Sequence, residues 1–557
     1  MGTRWTLLVI VIVAAALRFY PLDAKSLWLD EALSWRMQGF PVSLMIARTG
    51  EEATVHPPLY FGLLHLWTAV FGDSHVALRS LAATASLLVV VAMYFFVREL
   101  AWFAPSRWSS PGLADRDVRP TGEAVAERRE RRGRSAGLLA AALVAVSPYH
   151  IHFAHQVRGY SLGQLLMLVT TWALLRALRA ETRAGAARRW SAYALLALAF
   201  SYTHNLALFT LAAHAIWAGG YLLFARSSLP ARPASTVTAA DGPTAPAEAA
   251  GRGLLVRWGV VAAAIFLVGY APWMPKLWGQ SENLRTCWVR TLHADDLVRQ
   301  PYGAVMATSD TRLGRPTLFV QVVVVVVLAA LAAAVVTWGW GGALLAVMGL
   351  LPAVLLLAYS ATSMRSIFDA RYLAFAQPAW LAALAAVVAW LPDRPSRWAM
   401  GAVLLLWSAH GCEQEWSMLG PESRPGARAA AAFIEEHWRA GDAVVAPASP
   451  EFFRLLYYLP RHVEPRLLVA TRDRQSIAGG THLLDEELLE ATQLTESPPE
   501  RLWVVESASY LHIARVKIDY ATAWEEVEWK EFEQDYAWER PIRVRHFRRI
   551  ERGAAQE

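Results

Sequence analysis

Residues 6–35, TLLVIVIVAAALRFYPLDAKSLWLDEALSW, join a long apolar run to two adjacent carboxylates, Asp30 and Glu31. The apolar run approaches the roughly 20 residues that an α-helix needs to cross a bilayer. Because no small-residue cleavage site precedes Asp30, we interpret the run as a retained first span rather than as a signal peptide. Trp28 and Trp35 are typical of the membrane interface, so we expect the two carboxylates at headgroup depth.

The composition extends this prediction to the whole chain. Of the 557 residues, 55% are hydrophobic and 25 are tryptophan, and the mean hydropathy is +0.28. Ordinary soluble proteins are less apolar than this. We therefore predict an α-helical polytopic membrane protein with about eleven transmembrane helices, judged by the length of each apolar run. The predicted spans are 5–20, 80–97, 137–150, 160–178, 190–203, 205–224, 257–274, 317–337, 340–360, 372–391 and 398–412.

The net charge of +6 at first suggests nucleic acid as a partner. The arginines instead collect in loops between the apolar runs, as the positive-inside rule expects, so we predict no nucleic-acid binding. With the N-terminus inside, the basic loops 98–136, 179–189, 226–257 and 391–397 all fall on the cytoplasmic side. The polar groups that remain gather on the opposite face, which we predict to be the periplasmic side of a bacterial cytoplasmic (inner) membrane.

The chain divides into two predicted regions. Residues 1–412 form the transmembrane, catalytic region, and its outer-face loop 21–79 carries interfacial helices, because the run 56–72 is too short for a span. Residues 413–557 contain the strand-like runs DAVVA, LPRHVEPRLLVA and RLWVVES alternating with helical patterns, which predicts a small soluble α/β domain on the outer face. This second region has no GxGxxG or Walker-type loop to support nucleotide binding.

The two adjacent carboxylates allow two interpretations. Asp30 and Glu31 fit an N-cap and first-turn acid pair that starts an interfacial helix. They equally fit a general base that takes a proton from the hydroxyl of a substrate held at the membrane surface. The residues alone leave both interpretations open.

Five stretches together resemble a known family. SLWLDEALSW, HPPLYF, FGDSHVALR, RGYSL and IFDARYLAFAQP resemble, in this order, the motifs of bacterial lipid-dependent glycosyltransferases of the GT-C superfamily. The resemblance is to the protein O-mannosyltransferase-like branch, which includes the lipid A aminoarabinose transferases, and it covers roughly residues 1–412. It implies inverting transfer of a sugar from a polyprenyl-phosphate donor to an acceptor hydroxyl on a lipid, glycan or protein at the outer face.

The resemblance also implies roles for individual residues. Asp30 matches the catalytic acid position of the family, and Glu31 is its usual neighbour. Arg371, in DARYL, is the best candidate for the donor phosphate because a guanidinium is planar, bidentate and always charged, although it also fits a snorkelling arginine. The other candidate substrate-binding residues are Arg158, His56, Tyr372, Tyr160 and His204, and Asn205 ranks below them.

The chain departs from the family pattern in its second acidic position. Gln156 and Ser161 stand where many relatives carry an acidic residue, so a second carboxylate depends on Asp369 or Asp310. A divalent metal is possible, but one carboxylate pair with one histidine makes a poor octahedral site, and we assign no metal ligand. Two other functions remain open: a transporter or flippase for a lipid-linked glycan, and a glycan-binding scaffold without catalysis.

Overall fold

The structure is a computed structural model with 20 helices and a six-stranded sheet among the residues it describes. These residues are 2–51, 56–105, 122–225, 245–283, 291–306, 318–363, 366–417, 426–473, 477, 479–509, 516, 519–534 and 539–550.

Seventeen helices make up the chain as far as residue 417, and they pack mainly through apolar faces. They are α1 Thr3–Phe19, α2 Leu29–Gln38, α3 Val42–Thr49, α4 Leu59–Phe71, α5 His75–Leu100, α6 Gly122–Ala145, α7 Pro148–Ala154, α8 Tyr160–Ala177, α9 Arg183–Thr203, α10 Ala207–Phe224, α11 Ala245–Tyr270, α12 Met274–Asn283, α13 Asp296–Met306, α14 Leu318–Trp338, α15 Trp340–Ser363, α16 Gln377–Trp390 and α17 Arg394–Ser417.

The number of candidate spans among the described residues is smaller than the predicted number of spans. Among the described residues, five helical stretches are long and apolar enough to cross a membrane, and a bent pair makes a sixth if it counts as one span. The prediction of about eleven spans is therefore not confirmed, although the other predicted spans are also helical. The five stretches are His75–Phe103, Ala207–Phe224, Arg252–Ser281, Leu318–Trp338 and Trp340–Ser363, and the bent pair is Ala126–Ala145 with Pro148–Ala154.

Part of the predicted basic loop 98–136 is helical. Helix α6 begins at Gly122, so the arginine-rich stretch before the apolar run belongs to the same helix. Glu, Arg and Ala are strong helix formers, and Glu127 stands four residues before Arg131, a spacing that stabilises a helix surface. High charge in this stretch therefore does not prevent helix formation.

The predicted interfacial helix is α4, which has 13 residues and is followed by Gly72. Gly72 has φ +77, a left-handed conformation that favours glycine and stops the helix. Leu66, Val70 and Phe71 expose apolar side chains. A short helix with an exposed apolar stripe suits the membrane surface better than the bilayer interior.

A buried arginine connects the first helix to the bend between α6 and α7. The Arg18 guanidinium donates to the carbonyl oxygens of Val144 and Ala145, at 2.8 Å each, and to Ser86 Oγ at 2.9 Å. The last carbonyls of a helix have no partner within the helix and carry its negative dipole end. Arg18 donates hydrogen bonds to these carbonyls and places a positive charge at the negative end of the helix dipole. These interactions explain why a fully buried charge occurs in an apolar helix.

The C-terminal region forms a mixed sheet with the strand order β3-β2-β1-β4-β6-β5. The first four strands in this order are parallel, whereas β6 is antiparallel to both β4 and β5. Its elements are α18 Gly426–His437, β1 Ala443–Ala446, α19 Ser449–Tyr458, β2 Pro465–Val469, β3 Leu488–Glu490, α20 Ala491–Glu496, β4 Arg501–Ser507, β5 Trp524–Phe532 and β6 Ile542–Arg549.

Three of these strands coincide with the predicted strand-like runs, namely β1, β2 and β4. Their apolar residues are buried between helices and the rest of the sheet. Strands β5 and β6 were not predicted because their sequences, WEEVEWKEF and IRVRHFRR, are rich in charge. Strand β5 lies at the sheet edge, where exposed charged residues discourage pairing with other chains.

Candidate active site

The site is built around the N-terminus of α2, which follows the first helix after a short turn. Helix α2 begins at Leu29, so Asp30 and Glu31 lie in its first turn, where acidic residues complement the helix dipole. The Asp30 side chain is 22% exposed, whereas Glu31 is fully buried. Two adjacent carboxylates therefore face different environments.

Glu31 is engaged in structural contacts through both of its oxygens. Arg79 of α5 donates to Oε1 at 2.9 Å and to Oε2 at 2.7 Å, which is a bidentate ion pair. Oε1 also accepts from the backbone N–H of Val157 at 3.0 Å, and Oε2 accepts from the N–H of Trp28 at 3.4 Å. Glu31 thus joins α2 to α5 and to the turn before α8, and it is fully buried, unlike Asp30.

Asp30 faces two arginines that come from distant parts of the chain. Arg158 Nη2, in the turn before α8, lies 3.4 Å from Asp30 Oδ2. Arg371 Nη1, in the 3-10 turn Ala370–Phe375, lies 4.0 Å from the same oxygen. The structure thus brings together the carboxylate and the two cations that the motifs singled out.

Several contacts hold the turn that carries Arg371. Asp369 Oδ1 accepts from the backbone N–H of Arg371 at 3.1 Å and lies 3.5 Å from Arg371 Nε. Tyr149 donates its hydroxyl hydrogen to the Ala370 carbonyl at 2.7 Å. Asp369 is therefore a second carboxylate close to Arg371, whereas Asp310 lies outside the described residues.

Aromatic rings line the same region. The Arg371 guanidinium carbon lies 5.1 Å from the centroid of the Tyr372 ring, within the range of a cation–π contact. The His204 ring lies 5.4 Å from Tyr160 and 5.5 Å from His56, measured between centroids. The substrate-binding residues predicted from the sequence therefore form one cluster of side chains around Asp30.

Arg158 also fixes the hydrogen-bonding state of His56. Its Nη2 lies 2.5 Å from His56 Nε2, and because a guanidinium only donates, Nε2 accepts and the imidazole proton is on Nδ1. Burial and then the positive field of Arg158 hold the pKa of His56 well below its ordinary value. The pKa of His204 is lowered to about 3, by burial and by Arg158. Both histidines are neutral at pH 7, so they do not supply a cation for a phosphate.

Three other residues considered from the sequence serve the scaffold. Asn205 Nδ2 donates to Gln280 Oε1 at 3.0 Å, which joins α12 to the turn before α10. Ser161 is buried and donates to the Phe153 carbonyl at 3.0 Å. Gln156 Nε2 lies 2.7 Å from His152 Nε2. Gln156 and Ser161, where the resemblance implied an acidic residue, thus have local polar partners.

The described residues contain no group of three or more His, Cys, Asp and Glu side chains that could hold a metal ion. Asp30 and Asp369 are each close to Arg371, and a guanidinium competes with a cation for their oxygens. The cationic side chains next to Asp30 are those of Arg158 and Arg371.

Sequence reasoning missed two residues beside the site. Arg79, the partner of Glu31, is the last residue of the motif FGDSHVALR. Its place in this motif is the only feature of the sequence that could have indicated its role. His482 lies in the C-terminal region, and its pKa is lowered to about 3 by burial and then by its surroundings, including the positive field of Arg158. No local pattern distinguishes His482, because its relation to the site depends on how the two regions dock.

No family model and no curated protein sequence matches the chain. Solved structures do match it. ArnT from Cupriavidus metallidurans, bound to undecaprenyl phosphate, has a TM-score of 0.53 at 13% identity, over 98% of this chain and 98% of that chain. The apo structure of the same enzyme gives the same values.

Two further matches are less similar. The Archaeoglobus fulgidus oligosaccharyltransferase has a TM-score of 0.47 at 11% identity, over 83% of this chain and 63% of its own. The Saccharomyces cerevisiae O-mannosyltransferase complex Pmt1–Pmt2 has a TM-score of 0.32 at 13% identity, over 50% of this chain and 34% of its own. All of these neighbours are GT-C enzymes. The resemblance predicted from the motifs is thus confirmed at the level of the fold: over nearly its whole length the chain shares the GT-C fold of ArnT.

Proposed function

We propose that the protein is an inverting glycosyltransferase that moves a sugar from a polyprenyl-phosphate donor to an acceptor hydroxyl. The proposal places residues 1–412 in the bacterial inner membrane as the catalytic region, with the site and residues 413–557 on the periplasmic side. One observation carries it: a partly open carboxylate, Asp30, faces two arginines from separate parts of the helical region, within 4.0 Å. Undecaprenyl phosphate in the structurally similar ArnT supports the choice of donor.

Asp30 acts as the general base in this proposal. It takes the proton of the acceptor hydroxyl while the acceptor oxygen bonds to the anomeric carbon of the sugar. The bond between that carbon and the phosphate oxygen breaks, and the electron pair leaves with polyprenyl phosphate. Attack opposite the leaving group inverts the anomeric configuration.

The two arginines match the way charge moves in this reaction. Protonation removes one negative charge from Asp30, and cleavage adds one to the departing phosphate. Arg158 and Arg371 are next to Asp30 before reaction, so they can transfer their interaction to the phosphate as the carboxylate becomes neutral. Cations placed where charge develops stabilise a transition state more than a ground state.

The remaining predicted residues have supporting roles. Glu31 positions α2 and does not react, since both its oxygens are engaged with Arg79 and backbone N–H groups. His56 and His204 are neutral and offer hydrogen bonds to sugar hydroxyls. Tyr160 and Tyr372 border the place of the donor lipid.

The decisive test compares wild type with Asp30→Asn, using Asp23→Asn as a matched control on an exposed aspartate of the same segment. Each is reconstituted in vesicles with undecaprenyl-phosphate sugars, and release of undecaprenyl phosphate is measured together with the transbilayer position of the donor. We expect turnover with wild type and the control, and about 10²–10⁴-fold less with Asp30→Asn. Donor that crosses the bilayer without being consumed would instead identify a transporter.

A further inference from the structure

Helix α2 lies between the helical region and the C-terminal region, and it is attached to both. At its start, Glu31 pairs with Arg79 of α5. At its end, Arg36 Nη2 lies 2.5 Å from Glu487 Oε1 of the C-terminal region. Both side chains of the second pair are largely shielded, at 18% and 11% exposure. The helix that carries Asp30 is therefore attached to both regions through ion pairs of its own side chains.

The partner of Arg36 belongs to the segment 479–487, which consists of two 3-10 turns, Gly480–His482 and Asp485–Glu487. Arg36 Nε also donates to the His482 carbonyl at 3.2 Å. Glu487 is held in place by its other oxygen, Oε2, which accepts from the backbone N–H of Leu484 at 2.7 Å. The carboxylate is therefore pre-oriented towards α2.

The start of this segment is packed tightly against α2. Gly479 has φ +77, and a Cβ there would lie 3.2 Å from Leu33 Cδ2 and 3.0 Å from Phe453 Cε2. Ala32 belongs to the buried apolar cluster of the C-terminal region. An added methyl group would be in tight contact with both side chains, so the segment and α2 are closely packed.

The other half of the same interface reaches the turn before α2. Tyr458 of α19 accepts a hydrogen bond from the backbone N–H of Leu27 at 2.7 Å. The Tyr457 ring meets Trp35 edge to face at 5.0 Å between centroids. The C-terminal region thus contacts α2 from its first turn to its last.

We propose that residues 479–487 form a positioning loop for the catalytic helix, and that Glu487 sets the orientation of Asp30 through Arg36. The inference rests on the proposed function, in which Asp30 is the base. Glu487 touches no substrate and is a positioning residue. A general base must lie within hydrogen-bond distance of its proton, and an error of about 1 Å can cost about 10²-fold in rate. A small rotation of α2 therefore lowers kcat without removing any group that binds the donor.

The test uses Glu487→Gln in the full-length protein, with Glu486→Gln as the matched control, since Glu486 is the exposed neighbour in the same turn. We expect Glu487→Gln to lower kcat about 10- to 100-fold, with the KM for the undecaprenyl-phosphate sugar unchanged. Arg36→Gln should lower kcat equally, and the double variant no further, because the two residues act as one unit. An unchanged kcat in Glu487→Gln, or losses that multiply in the double variant, would overturn the proposal.

A second measurement separates this inference from the proposed function. Hydrogen–deuterium exchange over residues 27–40 should speed up about tenfold in Glu487→Gln and remain as in wild type for Glu486→Gln, whatever the reaction is. If the wild type transfers no sugar but exchange changes as expected, only the proposed function fails. If the wild type is active and exchange over α2 is unchanged, the positioning loop is wrong. Should Glu487→Gln not fold, Arg36→Lys tests the same contact, because it keeps the charge but loses the two-pronged donor.

Discussion

The contrast between Asp30 and Glu31 gives the sharpest prediction about this protein. The Glu31–Arg79 pair is bidentate, and its side chains are 0% and 2% exposed. Glu31→Gln keeps the shape and an acceptor for the Val157 N–H but leaves the guanidinium of Arg79 buried without its counter-charge. Breaking a buried ion pair on one side costs about 3–5 kcal/mol of folding free energy.

The matched control is Glu51→Gln. It removes the carboxylate of the ion pair between Arg48 and Glu51, whose charged atoms are 3.4 Å apart and whose glutamate side chain is 45% exposed. Exposed pairs contribute up to about 1 kcal/mol. Thermal unfolding of both variants in the same lipid nanodiscs should therefore show a destabilisation at least about three times larger for Glu31→Gln. Asp30→Asn should unfold within the range of the control, although it loses turnover.

The opposite pattern would refute the reasoning. If Glu31→Gln were as stable as Glu51→Gln, yet lost turnover as completely as Asp30→Asn, Glu31 would be a reacting group. The buried contacts with Arg79 would then be insufficient to explain why it is there.

Three further predictions concern the phosphate site, the docked C-terminal region and the topology. Arg371→Lys should lose sugar transfer almost as completely as Arg371→Ala, because a lysine loses the bidentate fork of the guanidinium. The control, Arg299→Lys, should be active. Full activity of Arg371→Lys would remove Arg371 from the phosphate site. Burial lowers the pKa of His482 from its ordinary 6.5 to about 3, so only the unfolded state takes up a proton as the pH falls below 6.5. The folding free energy should therefore drop by about 2 kcal/mol at pH 5. The melting temperature of His482→Asn should depend less steeply on pH in this range than that of the wild type, and an equal slope would contradict the prediction. In a chain without its natural cysteines, Glu127→Cys should be shielded from an impermeant thiol reagent and Glu525→Cys labelled in cells with a permeabilised outer membrane; the reverse pattern would invert the topology.

The sequence by itself determined the parts of the structure that depend on neighbouring residues. Apolar runs set the helices of residues 1–412, the Pro pair and Gly72 bounded the short helix α4, and short apolar runs became β1, β2 and β4. Short motifs also selected Asp30, Arg158 and Arg371, which meet in space. These three residues were selected by the resemblance of their motifs to the family, not by composition or periodicity.

Only the tertiary structure decided what each carboxylate does. Asp30 and Glu31 carry the same local signal, but Glu31 is buried against Arg79, 48 residues away, whereas the Asp30 side chain stays 22% exposed beside Arg158. Arg36 and Glu487 are 451 residues apart in the sequence, and neither periodicity nor composition predicts their contact. The sequence shows which residues are charged, and their burial is costly, but it does not show which partner each of them has. The partner is set by how the helices and the sheet pack. The different environments of the two adjacent acids are therefore a property of the folded chain.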